Sequence, residues 1–540
     1  MKNEPALDTS RRGFMGLVGA IGAASALAGT LSACGRKQDG GTAGATAGAA
    51  SANPEGTITA AISYELGTNG FDPMTTTSAL TIAANWHVFE GLYEILPSGN
   101  REVYPALANG EPTKADDTTY EVTLREGAVF HDGTAVTADD VVFSFERVMN
   151  PDNKSLYRAF IPFIESVTAK DTTTVTIKLK YAFSLIAERL AVVKIVPKAV
   201  VMADPKAFDA NPVGTGAWKM TDNSATSKQL VFERNADYTG ERPAKAAKMI
   251  WKVMPDESTR TNGLTSKAVQ VMDLVPDLSV ETLKASATVE SVQGFSLLFA
   301  MFNCGSAPFN ELKNRQGFLY ALDMNKIIQT AYLGNASPAT SFLHESHPEY
   351  KRASTVYSFD LDKAKSLFAE TGLTSIRLLC TDHGWVQKAT PIIKECLEAA
   401  GLTVEFSQDK SAAVYNAIDG KPEAYDAVIA PGDPSVFGAD PDLLMRWWYS
   451  GDTWTDSRMH WKGQDSWTKV QELLDKGAAA SGAEQKSIWG ELFDFISDNV
   501  PLYPLFHRKS TTAWDAGTLV NFKPISLTGL SFVDVGTSLA

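Results

Sequence analysis

Leu124-Arg125-Glu126-Gly127-Ala128-Val129-Phe130-His131-Asp132-Gly133-Thr134-Ala135-Val136-Thr137-Ala138-Asp139-Asp140-Val141-Val142-Phe143-Ser144 carries the densest structural signal in the chain. Thr119 to Leu124 alternates polar and apolar residues and predicts a strand. His131-Asp132-Gly133-Thr134 predicts a turn, because Asp can bond its own backbone and Gly133 is free to take a positive φ. Thr137 followed by Asp140 forms a variant capping box, and Val142, Phe145 and Met149 then recur at helical spacing. The stretch therefore reads as strand, turn and helix, and as scaffold rather than ligand site.

Outward from it the pattern stays mixed α and β. Thr57 to Ile62 alternates as a strand, and in Asp171 to Leu179 the residues Val175, Ile177 and Leu179 share one face. Asp360 caps a helix carrying Ala364, Leu367 and Phe368, and Gly372 ends it. Ile488, Leu492 and Phe495 mark one face of a late helix, with Trp489 and Phe493 beside it. Such stripes are core. The sequence contains no internal repeat.

The first residues read as an export signal. Ser10-Arg11-Arg12-Gly13-Phe14-Met15 resembles the twin-arginine motif, Phe14 to Thr30 is uncharged and weakly apolar, and Leu31-Ser32-Ala33-Cys34 resembles a lipobox. Cleavage before Cys34 (residues 1–33 removed) is expected to leave a lipidated cysteine. A Gly/Ala/Thr/Ser-rich tether, within residues 34–56, is expected to hold the body off the membrane. About 500 residues remain, enough for two to four domains. A net charge of −14 argues against nucleic acid as a partner. Cys304, Cys380 and Cys396 are left after the anchor. Cys380 on a strand and Cys396 on the next helix can pair, or all three stay buried thiols.

Catalytic signatures are missing. His344 and His347 do not form a metalloprotease pair, and no metal is expected. Gly214-Thr215-Gly216 lacks the Lys of a phosphate loop, and no G-x-S-x-G elbow occurs. A chain of 540 residues without one such motif favours binding over catalysis, with no cofactor.

Several segments together carry a resemblance. Phe89-Glu90-Gly91-Leu92, Leu124 to Ser144, Pro212-Val213-Gly214-Thr215-Gly216, Arg234-Asn235-Ala236-Asp237-Tyr238, Ala321-Leu322-Asp323 and Asp360 to Gly372 occur in one order. That order resembles the extracellular solute-binding proteins of family 5, the oligopeptide, dipeptide and nickel binders of ABC importers. The resemblance implies an α/β, two-lobed periplasmic-binding-protein-like fold with an extra subdomain in lobe I. Lobe I is expected over 57–301 with 507–540 (subdomain 102–196) and lobe II over 302–506. The crossings are expected at Ala300-Met301-Phe302-Asn303 and Pro501-Leu502-Tyr503-Pro504. It further implies a monomer serving an ABC permease and ATPase complex, and not an enzyme.

The resemblance also directs the search for the ligand. Asp433 ends an apolar strand in a Pro/Gly turn ahead of Asp440-Pro441-Asp442, where similar proteins hold a peptide's α-ammonium. Dipeptide binders carry an Arg after the strand that reads Ile376 to Cys380 here. This chain has Thr381-Asp382-His383-Gly384-Trp385 instead, which favours a longer peptide held through its backbone. His383, Trp385, Trp447, Asn303, Tyr64 and Glu65 complete the expected ligand set, with Trp448 and Trp454 as further lining. An oligosaccharide or a nickel chelate is the alternative solute, and a secreted hydrolase the alternative class.

Overall fold

The computed structural model describes residues 51–63, 70–183, 185–224 and 226–540. Arg11, Arg12, Cys34, Tyr64 and Glu65 lie outside the described residues. The chain begins with β1 (Thr57–Ile62), α1 (Ala79–Val88) and the hairpin β2 (Tyr93–Ile95) and β3 (Val103–Pro105). An inserted group follows, with β4 (Thr113–Asp116), β5 (Thr119–Thr123), α2 (Ala138–Met149), β6 (Ile164–Ala169), β7 (Thr174–Leu179) and the short α3 (Ile186–Leu190). Its strands form an antiparallel sheet in the order β4-β5-β7-β6. Next come β8 (Trp218–Asp222), β9 (Gln229–Arg234), β10 (Lys248–Val253), β11 (Val271–Met272) and the long β12 (Thr288–Phe302). The rest comprises β13 (Ala336–Pro338), α4 (Leu361–Thr371), β14 (Ser375–Thr381), α5 (Gly384–Ala399) and β15 (Thr403–Asp409). It closes with β16 (Ala427–Gly432), α6 (Pro441–Tyr449), α7 (Gly482–Asn499) and the long β17 (Leu502–Trp514).

The main sheet runs β15-β14-β16-β12-β17-β11-β1-β10-β9-β8. Among the described residues its two halves meet through β12 and β17, which pair antiparallel from Thr288↔Trp514 to Met301↔Leu502. One end of this pair meets β11 through Val271↔Trp514; the other meets β16 through Leu297↔Gly432 to Phe302↔Ala427. The register breaks between Gln293 and Leu297 and shifts again between Leu298 and Phe299. Leu297 to Phe302 is fully buried, as a strand covered on both faces requires. Each large side chain buried there contributes roughly 1.5–3 kcal/mol. Ala300 to Asn303 and Pro501 to Pro504 thus fall within or beside the β16 end of this pair, past the register break.

The predicted strands are present, with β7 starting at Thr174 because the Asp171 carboxylate turns the chain by accepting from the backbone of Thr173 and Thr174. Val175, Ile177 and Leu179 are all buried. Two helix faces are corrected. On α2 the buried residues are Val141, Phe145 and Val148, while Val142 and Met149 lie at the edge. On α7 Leu492, Phe493 and Ile496 are fully buried and Trp489 nearly so, while Ile488 and Phe495 of the expected stripe lie at the edge. Both helices have apolar residues on adjacent positions, so spacing alone left the face ambiguous by one step. The three cysteines are buried free thiols.

The motifs quoted separately in the sequence meet in space. His131 receives the turn at Gly214-Thr215-Gly216: its backbone N–H donates to the Gly214 carbonyl, and its Nε2 lies 3.0 Å from the Gly216 carbonyl. A Cβ at Gly216 would sit 2.3 Å from the His87 carbonyl, so this turn needs glycine for close approach to α1. Arg125 pairs with Glu90 at 3.3 Å, and the Tyr238 hydroxyl donates to Glu90 at 2.8 Å. The signature is scaffold, as its turn and cap indicated.

Burial holds the imidazoles of His87 and His507 down at about 4. His87 is locked neutral: Nδ1 lies 2.9 Å from the Ala83 carbonyl, and Nε2 accepts from the Phe532 N–H. The unfolded chain takes up these protons as pH falls through about 6.5, the folded chain only near 4. Stability from these two groups is therefore full above about 6.5 and lost between there and 4, by on the order of 2–4 kcal/mol at pH 5. Urea unfolding at pH 7 and 5 is expected to show a smaller pH loss in His87→Gln than in wild type. An identical loss in both would show that His87 is not held neutral by the fold.

Candidate functional site

The carboxyl ends of the parallel strands β14 and β16 lie at one edge of the sheet, where open α/β folds bind ligands. The loop leaving β16 is bent tightly there. A Cβ at Gly432 would lie 2.4 Å from the Trp448 ring. Asp433 follows, half-buried, and its carboxylate is engaged from two sides: Ser435 Oγ donates to Oδ1, and the Thr528 N–H and hydroxyl donate to Oδ2 at 2.9 and 3.0 Å. Thr528 belongs to the chain after β17, so this contact joins the β16 loop to the C-terminal segment. The Arg101 guanidinium, from the tip of the β2–β3 hairpin, donates to the Ser435 carbonyl. Burial raises the Asp433 carboxyl above its usual range, against the Ser435 and Thr528 hydrogen bonds and the Arg101 charge.

Apolar packing completes the closure. Val436 contacts the cluster of Ile82 on α1 with Ile525 and Leu527. Next to it lies a cavity of about 50 Å³, lined by Thr76, Asn85, Trp86, Glu94, Lys194 and Phe437 among others. Thr76 Oγ1 and Asn85 Oδ1 are buried without a hydrogen-bond partner. Lys194 Nζ and Glu94 Oε1 are paired at 2.5 Å, yet burial outweighs the lysine and raises the Glu94 carboxyl. Orphaned acceptors and donors beside apolar surface are what a polar solute satisfies.

The other expected residues divide by edge. His383 and Trp385 follow β14, at the same edge as Asp433. His383 Nδ1 lies 3.1 Å from the Thr381 hydroxyl, and burial lowers its pKa. The buried Trp385 ring packs on Tyr332 and Phe506, under the Arg508 guanidinium. Trp447 on α6 is half-buried, stacks on Phe160 of the inserted group at 5.7 Å and meets the Phe437 ring at a tilt, 5.2 Å away. Trp448 is fully buried and Trp454 nearly so. Asn303 lies at the opposite edge, about 20 Å of strand away, because Phe302 pairs with Ala427, the first residue of β16. Its amide donates to the Pro422 and Tyr425 carbonyls and serves as scaffold. Arg101, Ser435 and Thr528 were not singled out in the sequence, since no motif marks a hairpin-tip arginine or a residue of the C-terminal segment as neighbours of Asp433.

A second contact joins the inserted group to α6. Arg189 of α3, fully buried, donates to Asp442 at 2.8 Å, to Asp440, and to the Phe160 carbonyl at 2.8 Å. Asp442 also accepts from Arg446 at 2.7 Å, and Asp440 caps α6 through the Leu443 N–H. Burial pulls the Arg189 pKa down, but the two carboxylates hold it above its ordinary value. Asp440-Pro441-Asp442 is thus a docking element for the inserted group. Arg189→Met leaves the buried Asp442 with Arg446 alone and Asp440 with only its capping bond, and is expected to cost roughly 3–5 kcal/mol in urea unfolding. A loss within about 1 kcal/mol, as for an exposed pair, would contradict this role.

Comparison with known proteins fits this geometry. Residues 102–468, more than half the chain, match the model described as "Bacterial extracellular solute-binding proteins, family 5 Middle". The chain is 24% identical over 477 residues to the glutathione-binding protein GsiB of Salmonella typhi, covering 86% of this chain and 91% of that one. Among solved structures it resembles the dipeptide binding protein of Pseudoalteromonas sp. SM9913 in complex with Met-Leu. The TM-score is 0.78 at 20% identity, over 89% of this chain and 100% of that one. It also resembles DppA of Helicobacter pylori in complex with the peptide STSA, with a TM-score of 0.79 at 21% identity over 90% and 98%. These likenesses establish the two-lobed periplasmic-binding-protein fold, and the chain belongs to family 5 of the bacterial extracellular solute-binding proteins.

Proposed function

We propose that this chain captures a small peptide outside the cell and delivers it to an ABC permease and ATPase complex. The observation that carries the reading is the β16 loop, Asp433 to Phe437, docked on α1, the β2–β3 hairpin and the C-terminal segment beside a mainly apolar cavity that holds a few polar groups. A relative named for glutathione binding and neighbours holding Met-Leu and STSA support a peptide as the ligand. Asp433 takes the ligand's ammonium with its remaining acceptor capacity. His383 and Trp385 line the same edge, Trp447 the aromatic side, and Tyr64 and Glu65 the loop after β1. Export uses Arg11 and Arg12, and a lipid on Cys34 holds the tether to the outer face of the membrane.

The lobes are those expected from the sequence, 57–301 with 507–540 against 302–506, with residues 102–196 as subdomain. We place the bending point itself at the register break between Gln293 and Leu297, because a rigid ladder cannot flex where its hydrogen bonds are regular. Closure shields the ligand from water, and the importer recognises the closed form. Solution scattering of the mature protein is expected to show a smaller radius of gyration with saturating glutathione, Met-Leu or STSA than without. An unchanged radius with a ligand verified as bound would contradict hinge closure.

A further inference from the structure

Arg101 is the least satisfied strong donor near Asp433. Its residue sits at φ 57, the left-handed region, on the hairpin tip after Pro97-Ser98-Gly99-Asn100. A non-glycine residue is rarely held there, and such strain persists where the surroundings dictate a direction for the side chain. The guanidinium spends one hydrogen bond on the Ser435 carbonyl, and its Nε is buried with no partner. A guanidinium offers five N–H donors in a planar fork shaped for a carboxylate. Ser435 stands between the two charges: its carbonyl takes Arg101 and its hydroxyl serves Asp433. On the acidic side, Asp433 Oδ2 is filled by Thr528, while Oδ1 keeps capacity beyond the Ser435 bond. The Ser435 and Thr528 hydroxyl oxygens can also accept. Acceptors and hungry donors therefore lie one residue apart in the same corner. Each charge acts on the other: Asp433 offsets part of the fall that burial imposes on Arg101.

We propose that Arg101 and Asp433 together form a subsite for an α-amino-acid head, a group carrying its ammonium and its carboxylate on one carbon. The proposal rests on the peptide-capture reading above and deepens it. In an ordinary peptide at least one peptide bond separates the terminal ammonium from the terminal carboxylate, so a single corner cannot take both. A peptide linked through a side-chain carboxyl keeps both on its first residue, and so does a free amino acid. Arg101 then supplies from the opposite wall the guanidinium that is missing from Thr381 to Trp385, and the argument for long peptides loses its ground.

The test is calorimetric titration of the mature protein with γ-L-glutamyl-L-alanine, α-L-glutamyl-L-alanine and L-glutamate. The two dipeptides have the same atoms and net charge and differ in whether the carboxylate shares the ammonium's carbon. The γ-linked isomer is expected to bind at least tenfold tighter than the α-linked one. Arg101→Met should lower its affinity tenfold or more while changing that of the α-isomer little. Arg101→Lys, which keeps the charge and loses the fork, should fall between and guards against a folding defect, monitored by thermal unfolding. Tighter binding of L-glutamate than of the γ-dipeptide would assign the same head-group subsite to free amino acids. Equal or tighter binding of the α-isomer, or unchanged γ-affinity in Arg101→Met, overturns the subsite and leaves peptide capture standing. Binding of none of the three overturns the subsite, and if glutathione, Met-Leu and STSA also fail to bind, peptide capture falls with it.

Discussion

The antiparallel pairing of β12 with β17 is the constraint on which the rest of the molecule depends. Among the described residues they join the halves of the main sheet, β17 through Trp514 to β11 and β12 through Leu297 to Phe302 to β16. They must therefore be apolar on both faces at one end, and they are. Their ladder is interrupted between Gln293 and Leu297 and again between Leu298 and Phe299. Burial of Leu297 to Phe302 holds the β16 end, and the wider interruption beside it is where the proposed hinge bends.

Polar contacts add direction to this frame. Asp433 with Thr528, Arg101 with the Ser435 carbonyl, and Arg189 with Asp440 and Asp442 each tie an element near β16 to one remote from it in sequence. Charged and hydrogen-bonded contacts of this kind are directional. They act beside extensive apolar packing, since residues of the inserted group and of the β16 side share one hydrophobic core, with Phe160 stacked on Trp447 at its edge.

The fold was largely legible because its signals are local. The turn at Asp132-Gly133, the Thr137 cap, the Asp360 cap and the left-handed Gly372 each depend on residues within a few positions, and each is found. The helix face of α2 was misjudged by one position, since Val141 and Val142 are equally apolar and only the tertiary neighbours choose between them; on α7 Leu492 of the expected stripe is buried together with the flanking Trp489 and Phe493. The candidate site was legible in part. Asp433 stands out by its place at the end of a strand. Asn303 was misplaced because nothing in the sequence states at which end of β16 the chain leaves β12. Arg101 was missed because its importance arises from a contact with Ser435 across more than 300 residues of chain.

The central claim is reversible one-to-one capture of a small peptide, without chemistry, in the cleft around Asp433. Native mass spectrometry of the protein released gently from producing cells tests it most directly. The account predicts a single added mass in the range of a small peptide. That mass should be lost on unfolding, regained on refolding with the recovered ligand, and unchanged in composition after prolonged incubation. A recovered ligand without peptide character, or one that is cleaved during incubation, would contradict it.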